Sequence, residues 1–256
     1  MVQLIDTHCH LDFPEFEQDR DEVIKRAKEN GIDYLINVGS SLQGSKDSLE
    51  LALNYDCIYA VVGIHPHEAD NTDNAAIAVI EDLAKKNKVV AIGEIGLDYY
   101  RNYSAPQNQK RLFTALIKLA KSLNLPLVLH SRQAEEETLN IIKEFTPQKA
   151  VVHCFSGSED FLRQCLDLGL FISFTCNITY KKAENLKNVV KLVPLERIML
   201  ETDCPYLPPE GFRGRRNEPF QVKLLAEEIS KIKGIPFGEI ARVSTENAKV
   251  FFNIPS

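Results

Sequence analysis

Six short apolar runs in this chain are followed at once by side chains able to hold a metal ion. They read Leu4-Ile5-Asp6-Thr7-His8-Cys9-His10, Gly63-Ile64-His65-Pro66-His67, Ala91-Ile92-Gly93-Glu94, Leu127-Val128-Leu129-His130, Val151-Val152-His153 and Met199-Leu200-Glu201-Thr202-Asp203. All six histidines of the protein belong to this set. His8 and His10, two residues apart, share one side of an extended segment and can chelate one ion. Glu94 stands in a glycine-flanked apolar stretch, where a carboxylate is costly to bury unless paired or bound to a cation. The others each have a plainer alternative. His65 and His67 could shape a turn around Pro66, His130 and His153 could be satisfied core histidines, and Asp203 could be a turn-former. Their shared position at the ends of successive runs is what argues for a metal site.

Four histidines and two carboxylates exceed what one tetrahedral catalytic site with an open water position uses. The count therefore suggests two ions, with His8, His10 and Asp203 on the first, His130 and His153 on the second, and Glu94 bridging. Two cations about 3.5–4 Å apart can hold a hydroxide between them and clamp the attacking and leaving oxygens of an in-line displacement. Asp203, touching the same water, is then the proton acceptor. Imidazole-rich ligation favours zinc or manganese over magnesium, with cellular availability able to override the preference.

Parallel strands must position these groups. The apolar runs are Val2–Ile5, Tyr34–Val38, Ile58–Ile64, Val89–Ile92, Pro126–Leu129, Ala150–Val152, Leu170–Phe174 and Arg197–Leu200, continuous rather than alternating, as strands covered on both faces require. Helical patterns are predicted over Arg20–Asn30, Asn74–Lys86, Gln107–Leu123, Glu135–Phe145, Asp160–Leu168, Asn185–Leu192, Gln221–Lys233 and Phe237–Val250. This alternation implies right-handed βαβ units. About eight of them in about 250 residues match an α/β chain forming a closed (β/α)8 TIM barrel, read as one domain over residues 1–256. An open doubly wound sheet is the rival. It usually begins with a glycine-rich phosphate turn, where this chain has Asp6-Thr7-His8-Cys9-His10 instead. In the barrel, the carboxyl ends of the strands meet at one rim, so residues distant in sequence converge.

The 256 residues carry 30 Lys and Arg against 36 Asp and Glu, a formal charge of −6 that excludes an overall basic field but not a local one. No apolar stretch approaches the roughly 20 residues of a membrane helix, and the first residues lack a basic leader. The six cysteines show no CxxC spacing and read as reduced packing residues, with Cys9, Cys154 and Cys204 turned away from the groups beside them. The expected setting is cytoplasmic, away from membranes.

Read together, His8-Cys9-His10-Leu11-Asp12, Gly63-Ile64-His65-Pro66-His67, Gly93-Glu94-Ile95-Gly96-Leu97-Asp98-Tyr99, Leu127-Val128-Leu129-His130, His153-Cys154-Phe155-Ser156-Gly157, Glu201-Thr202-Asp203-Cys204-Pro205-Tyr206-Leu207 and Arg213-Gly214-Arg215-Arg216-Asn217-Glu218-Pro219 closely resemble the TatD family of metal-dependent deoxyribonucleases. The match runs in order over essentially the whole chain. The resemblance implies an amidohydrolase-like (β/α)8 barrel and hydrolysis of DNA, often as a 3′→5′ exonuclease. It also implies His8, His10, Glu94, His130, His153 and Asp203 as divalent-metal ligands, the set reached above. One departure concerns the segment after the fifth strand. Similar proteins often read His-x-Arg-Asp-Ala, whereas this chain has His130-Ser131-Arg132-Gln133-Ala134, which puts a supporting carboxylate for His130 in question.

A polyanionic substrate needs positive charge at the rim. Bound Mg, Mn or Zn ions supply it, and Arg213, Arg215 and Arg216, just beyond the eighth strand, can fork onto phosphate. The alternative for Arg213 or Arg216 is a salt bridge holding the loop. His65 is expected to contact substrate, Tyr99-Tyr100-Arg101 could stack on unpaired bases, and Lys181-Lys182 reads as a solvated helix start. The expected reaction is cleavage of phosphodiester bonds at single-stranded DNA ends. The competing reading keeps the site and changes the bond to a carbonyl ester or amide, such as an aminoacyl-tRNA ester.

Overall fold

The computed structural model describes residues 3–255. Eight strands alternate with helices: β1 (Leu4–Cys9), α1 (Arg20–Glu29), β2 (Ile32–Val38), α2 (Leu42–Asn54), β3 (Ile58–Val62), α3 (Asn74–Ala84), β4 (Val89–Asp98), α4 (Pro106–Leu123), β5 (Leu127–Arg132), α5 (Glu135–Phe145), β6 (Ala150–Val152), α6 (Glu159–Asp167), β7 (Phe171–Phe174), α7 (Glu184–Leu192), β8 (Ile198–Leu200), α8 (Val222–Lys233) and α9 (Phe237–Phe252). The strands are parallel and pair in chain order from β1 to β8. The ring closes where Cys9 bridges Cys204, with Asp203 N–H donating to His8 O and His10 N–H to Cys204 O, each at 2.9 Å. This is the (β/α)8 barrel expected from the alternation of runs. Val2, placed in the first run, lies outside the described residues.

The two faces of the strands bury different partners. Ile5, Ile36, Val61, Ala91, Val128, Val151, Phe171 and Met199, one from each strand, pack together with Phe251 and Phe252 of α9. Their neighbours, including Leu4, Leu35, Ala60, Ile92, Leu129 and Leu200, pack into the larger layer beneath the helices. Period-two geometry then decides what lies above the inner layer. His130 is two residues past Val128, His153 two past Val151 and Glu201 two past Met199, so each continues an inward-facing row.

Helix α2 was not among the expected helices, and its buried face explains why. That face begins with Gly44, Ser45 and Ser48 instead of apolar residues. Ser45 Oγ donates to Gly63 O and Ser48 Oγ to Asn37 O, both at 2.8 Å. A Cβ on Gly39 would lie 2.4 Å from Ser45 Cα. The first half of the helix docks by close backbone approach and hydroxyl bonding, which leaves only Leu49, Leu51 and Ala52 in its second half to mark the buried face. Its start is signalled only by Ser41, whose side chain caps Gly44 N–H at 3.0 Å.

Strand β4 also differs from expectation. It does not end at Ile92 but runs on to Asp98, pairing Gly96 with His130 of β5. Gly96 has φ +146°, and a Cβ there would stand 1.9 Å from His130 O. The glycine lets the strand continue past Glu94 while holding the two chains close. No helix among the described residues is long and apolar enough to cross a membrane.

Candidate metal centre

The structure brings His8, His10, Glu94, His130, His153 and Asp203 to one rim. His8 lies in β1, which is buried from Leu4 to Cys9, and the buried His10 is the first residue past the strand. Glu94 lies inside β4, His130 in β5, His153 directly after β6, and Asp203 three residues after β8. Asp203 adopts a left-handed conformation with φ +55°, which aspartate tolerates better than most residues.

The contacts fall into two groups that meet at Glu94. In one, His8 Nε2 and His10 Nε2 approach to 3.2 Å, and Asp203 Oδ1 lies 3.4 Å from His10 Nε2 and 3.7 Å from His8 Nε2. In the other, Glu94 Oε1 is 2.7 Å from both His130 Nδ1 and His153 Nε2 and 3.4 Å from His65 Nε2. Glu94 Oε2 faces the first group, 3.7 Å from His8 Nε2. His65, expected at the substrate, thus aims a ring nitrogen at Glu94.

Three further groups support this cluster without having been given a role in the sequence. Asp98 Oδ2 is 3.2 Å from His130 Nε2 and 2.9 Å from His67 Nε2. Glu201 accepts from Cys154 N–H at 2.6 Å. Its Oε1 also lies 3.3 Å from His153 Nδ1, an ion-pair distance without the alignment of a hydrogen bond. Asp6 binds Thr202 N–H at 2.8 Å and Thr202 Oγ–H at 2.6 Å, tying β1 to the chain after β8. The signals for two of them were even spacings: Asp98 is four past Glu94 along one extended strand, and Glu201 two past Met199.

Electrostatics divide the histidines within each group, for His130 and His153 are raised and His65 is lowered in the one, His10 raised and His8 lowered in the other. Burial pushes Glu94 up, but the charges of His153 and His65 and hydrogen bonds from His130 and His153 outweigh it and hold the carboxyl well below its ordinary range. Burial, reinforced by His153, holds His8 well below the usual imidazole value, and burial pushes His65 down to about 4. For His10, burial is outweighed by the hydrogen bond and charge of Asp203, which raise it to about 9.

These residues fit divalent cations. Imidazole nitrogens and carboxylate oxygens of His8, His10 and Glu94, and of His65, Glu94 and His130, each lie within 4.8 Å of one another. Two ring nitrogens facing each other at 3.2 Å have one proton between them at most unless charged, and His8 Nδ1 is buried with no hydrogen-bond partner. An unpaired buried polar atom costs about 1–3 kcal/mol. Once deprotonated, imidazoles beside a carboxylate match borderline metals such as zinc.

Around the rim, the arginines divide. Arg216 binds Asp19 at 2.6 and 2.7 Å and Glu218 at 3.1 Å, and its guanidinium lies 4.5 Å from the Phe16 ring centre. The salt bridge considered for the loop is therefore the arrangement found at Arg216, whose fork is occupied and not free for phosphate. Arg213 lies over Tyr180 at 4.8 Å. Neither Arg213 nor Arg215 has an ion pair among the described residues. Tyr99 is bonded through its hydroxyl to Glu137, whereas Tyr100, Tyr103 and Tyr206 are exposed. Cys9 and Cys204 are packing residues, as expected. Cys154 instead occupies a turn with φ +46°, where strand alternation does not apply.

The family model described as TatD related DNase matches residues 5–253. A Bacillus subtilis protein named uncharacterized metal-dependent hydrolase YabD is 42% identical over 98% of this chain and 99% of its own. One from Erwinia tasmaniensis, named 3′-5′ ssDNA/RNA exonuclease TatD, is 37% identical over 98% of this chain and all of its own length. The crystal structure of the TatD homolog YjjV from Escherichia coli K12 superposes with a TM-score of 0.95 at 33% identity, covering 99% of each chain. With the barrel, the histidine and acid cluster and these relatives in agreement, the chain belongs to the TatD-related DNase family of metal-dependent hydrolases.

Proposed function

We propose that this protein removes nucleotides from the 3′ ends of single-stranded DNA by hydrolysing phosphodiester bonds, with His8, His10, Glu94, His130, His153 and Asp203 holding two divalent cations. The observation that carries this reading is the division of Glu94, one oxygen toward each histidine group, 2.7 Å from His130 and His153 and 3.7 Å from His8. A pair of cations held there supplies Lewis acidity toward a phosphoryl oxygen and acidifies water. Asp203 Oδ1, on the open side of the first group with its side chain 14% exposed, accepts the proton of the attacking water. Arg213 and Arg215, with unoccupied guanidinium forks, hold the phosphates, and exposed Tyr100 and Tyr103 offer faces for unpaired bases. His65 orients Glu94 from the substrate side. The whole chain acts as one domain, and six free cysteines suit a reducing cytoplasm.

The name of the Erwinia relative supports the substrate. The test is metal-reconstituted protein on 5′-labelled single-stranded DNA, with Mg, Mn or Zn, and an aminoacyl-tRNA run alongside. A ladder shortening from the 3′ end is expected. Ester cleavage with the DNA left intact overturns the phosphodiester reading in favour of the carbonyl one.

A further inference from the structure

A cavity of about 760 Å³ opens at the rim between the loops that follow β6, β7 and β8. Its walls include Gly157, Asn177, Tyr180, Lys181, Lys182 and Arg213. Two of its loops start from the metal centre, Gly157 being four residues past His153 and lining residue Leu207 four past Asp203. The volume falls in the range of sites that enclose a small organic ligand.

The lining has a mixed chemistry. Lys181, Lys182 and Arg213 face one carboxylate, Glu210, so the cavity is locally cationic in a protein of charge −6. Neither lysine has an ion-pair partner among the described residues. They do not begin a solvated helix, because α7 starts at Glu184 and they stand in the loop before it. Tyr180 is fixed by its hydroxyl, which donates to Pro208 O at 3.0 Å, and it carries the Arg213 guanidinium on its ring. Leu186 and Leu207 add apolar wall. Asn177 Oδ1 is buried and accepts no hydrogen bond from the protein. Asn177 lines the cavity, and rotation of its side chain would bring this unpaired acceptor to a donor held there.

Cations for phosphate, a flat ring and apolar wall for a heterocycle, and an unsatisfied amide for its polar edge are the components of a nucleotide site. We infer that this cavity is a nucleoside subsite that takes the base and sugar of the 3′-terminal nucleotide while its phosphate lies at the metal centre. The inference rests on the nucleic-acid reading above and adds where the terminal base goes. Lys181, Lys182 and Arg213 draw the polyanionic strand toward the cavity, Tyr180 and the leucines pack against the base, and the Asn177 amide meets its hydrogen-bonding edge. The enzyme therefore senses whether the last nucleotide carries a base.

The test compares single-stranded oligonucleotides that end in an intact or an abasic 3′ nucleotide, with bis(p-nitrophenyl) phosphate as a substrate lacking any base. The metal-loaded wild type is expected to lose about tenfold in kcat/KM when the terminal base is removed. Asn177→Ala and the Lys181→Ala/Lys182→Ala double variant are expected to lose a similar factor on the intact end, through KM. Asn177→Ala should no longer distinguish the two ends, and both variants should lose less on bis(p-nitrophenyl) phosphate than on the intact end. Equal cleavage of intact and abasic ends by the wild type overturns the subsite and leaves the nuclease reading standing. So does an Asn177→Ala protein with undiminished preference for the intact end. Failure of the wild type to cut either oligonucleotide would overturn the nuclease reading itself.

Discussion

Asp98 Oδ2 lies 3.2 Å from Nε2 of His130, across the ring from the nitrogen that meets Glu94 at 2.7 Å. The carboxylate missing after β5, where Gln133 stands in place of the aspartate common in similar proteins, is thus supplied from β4. Carboxylate support of this kind fixes a ligating imidazole's tautomer and orientation.

The relationship predicts the effect of Asp98→Asn. The variant should fold, because the amide oxygen can still accept from Arg101 N–H, now 2.8 Å from the carboxylate. Metal affinity should fall about 10- to 100-fold, read by calorimetric titration with Zn or Mn. Unchanged affinity would show that Asp98 only closes the turn after β4.

Glu94→Gln retains the shape of the shared side chain but removes the charge that His130, His153 and His65 surround. Hydrolysis should drop at least about a hundredfold and bound metal should fall in both groups, measured by elemental analysis of the folded protein. A variant with wild-type metal content and turnover would contradict a bridging role.

Arg215 and Arg216 are neighbours with different duties. Arg215→Ala should weaken DNA binding and reduce the salt dependence of binding by about one phosphate contact, with little effect on a minimal phosphodiester. Arg216→Ala breaks the bonds to Asp19 and Glu218 and should lower stability by about 1 kcal/mol, seen in thermal unfolding. If the two variants shift binding and stability alike, the division of labour is wrong.

Proton release offers an independent measurement. In the metal-free protein, Asp203 raises His10 to about 9, so the imidazole is charged near neutral pH and a cation must displace its proton. Apparent metal affinity should rise with pH and level off above about 9. The sign for the metal-free fold is opposite: the His10–Asp203 pair is fully stabilising below the ordinary value of 6.5 and is lost as pH rises through about 9. Titration calorimetry in buffers of different ionisation heat reads the released protons, and none released near pH 7 would refute the assignment.

Most of the barrel was legible because its strands are continuous apolar runs and most of its helices show an apolar face. Helix α2 was not, because Gly44, Ser45 and Ser48 bury hydroxyls and bare backbone against β2 and β3. The rim histidines could be placed because each follows an apolar run at the carboxyl end of a strand. What adjacent sequence could not supply were pairings across strands: Asp98 with His130, Glu201 with His153, and Arg216 with Asp19, separated by 197 positions. Those depend on which loops the closed ring sets side by side.

The junction between β8 and β1 carries a consequence for the order of biosynthesis. His8 and His10 leave the ribosome well before their acid, Asp203, which arrives only after β8 and is bonded back to His8 O. Glu94, His130 and His153 are all present once the residue after β6 has been added. A nascent polypeptide can therefore assemble one half of its ion cradle early, yet the other half waits until the last staves have joined the first. Hydrolytic competence is thereby postponed until β8 has been made and the cylinder is shut.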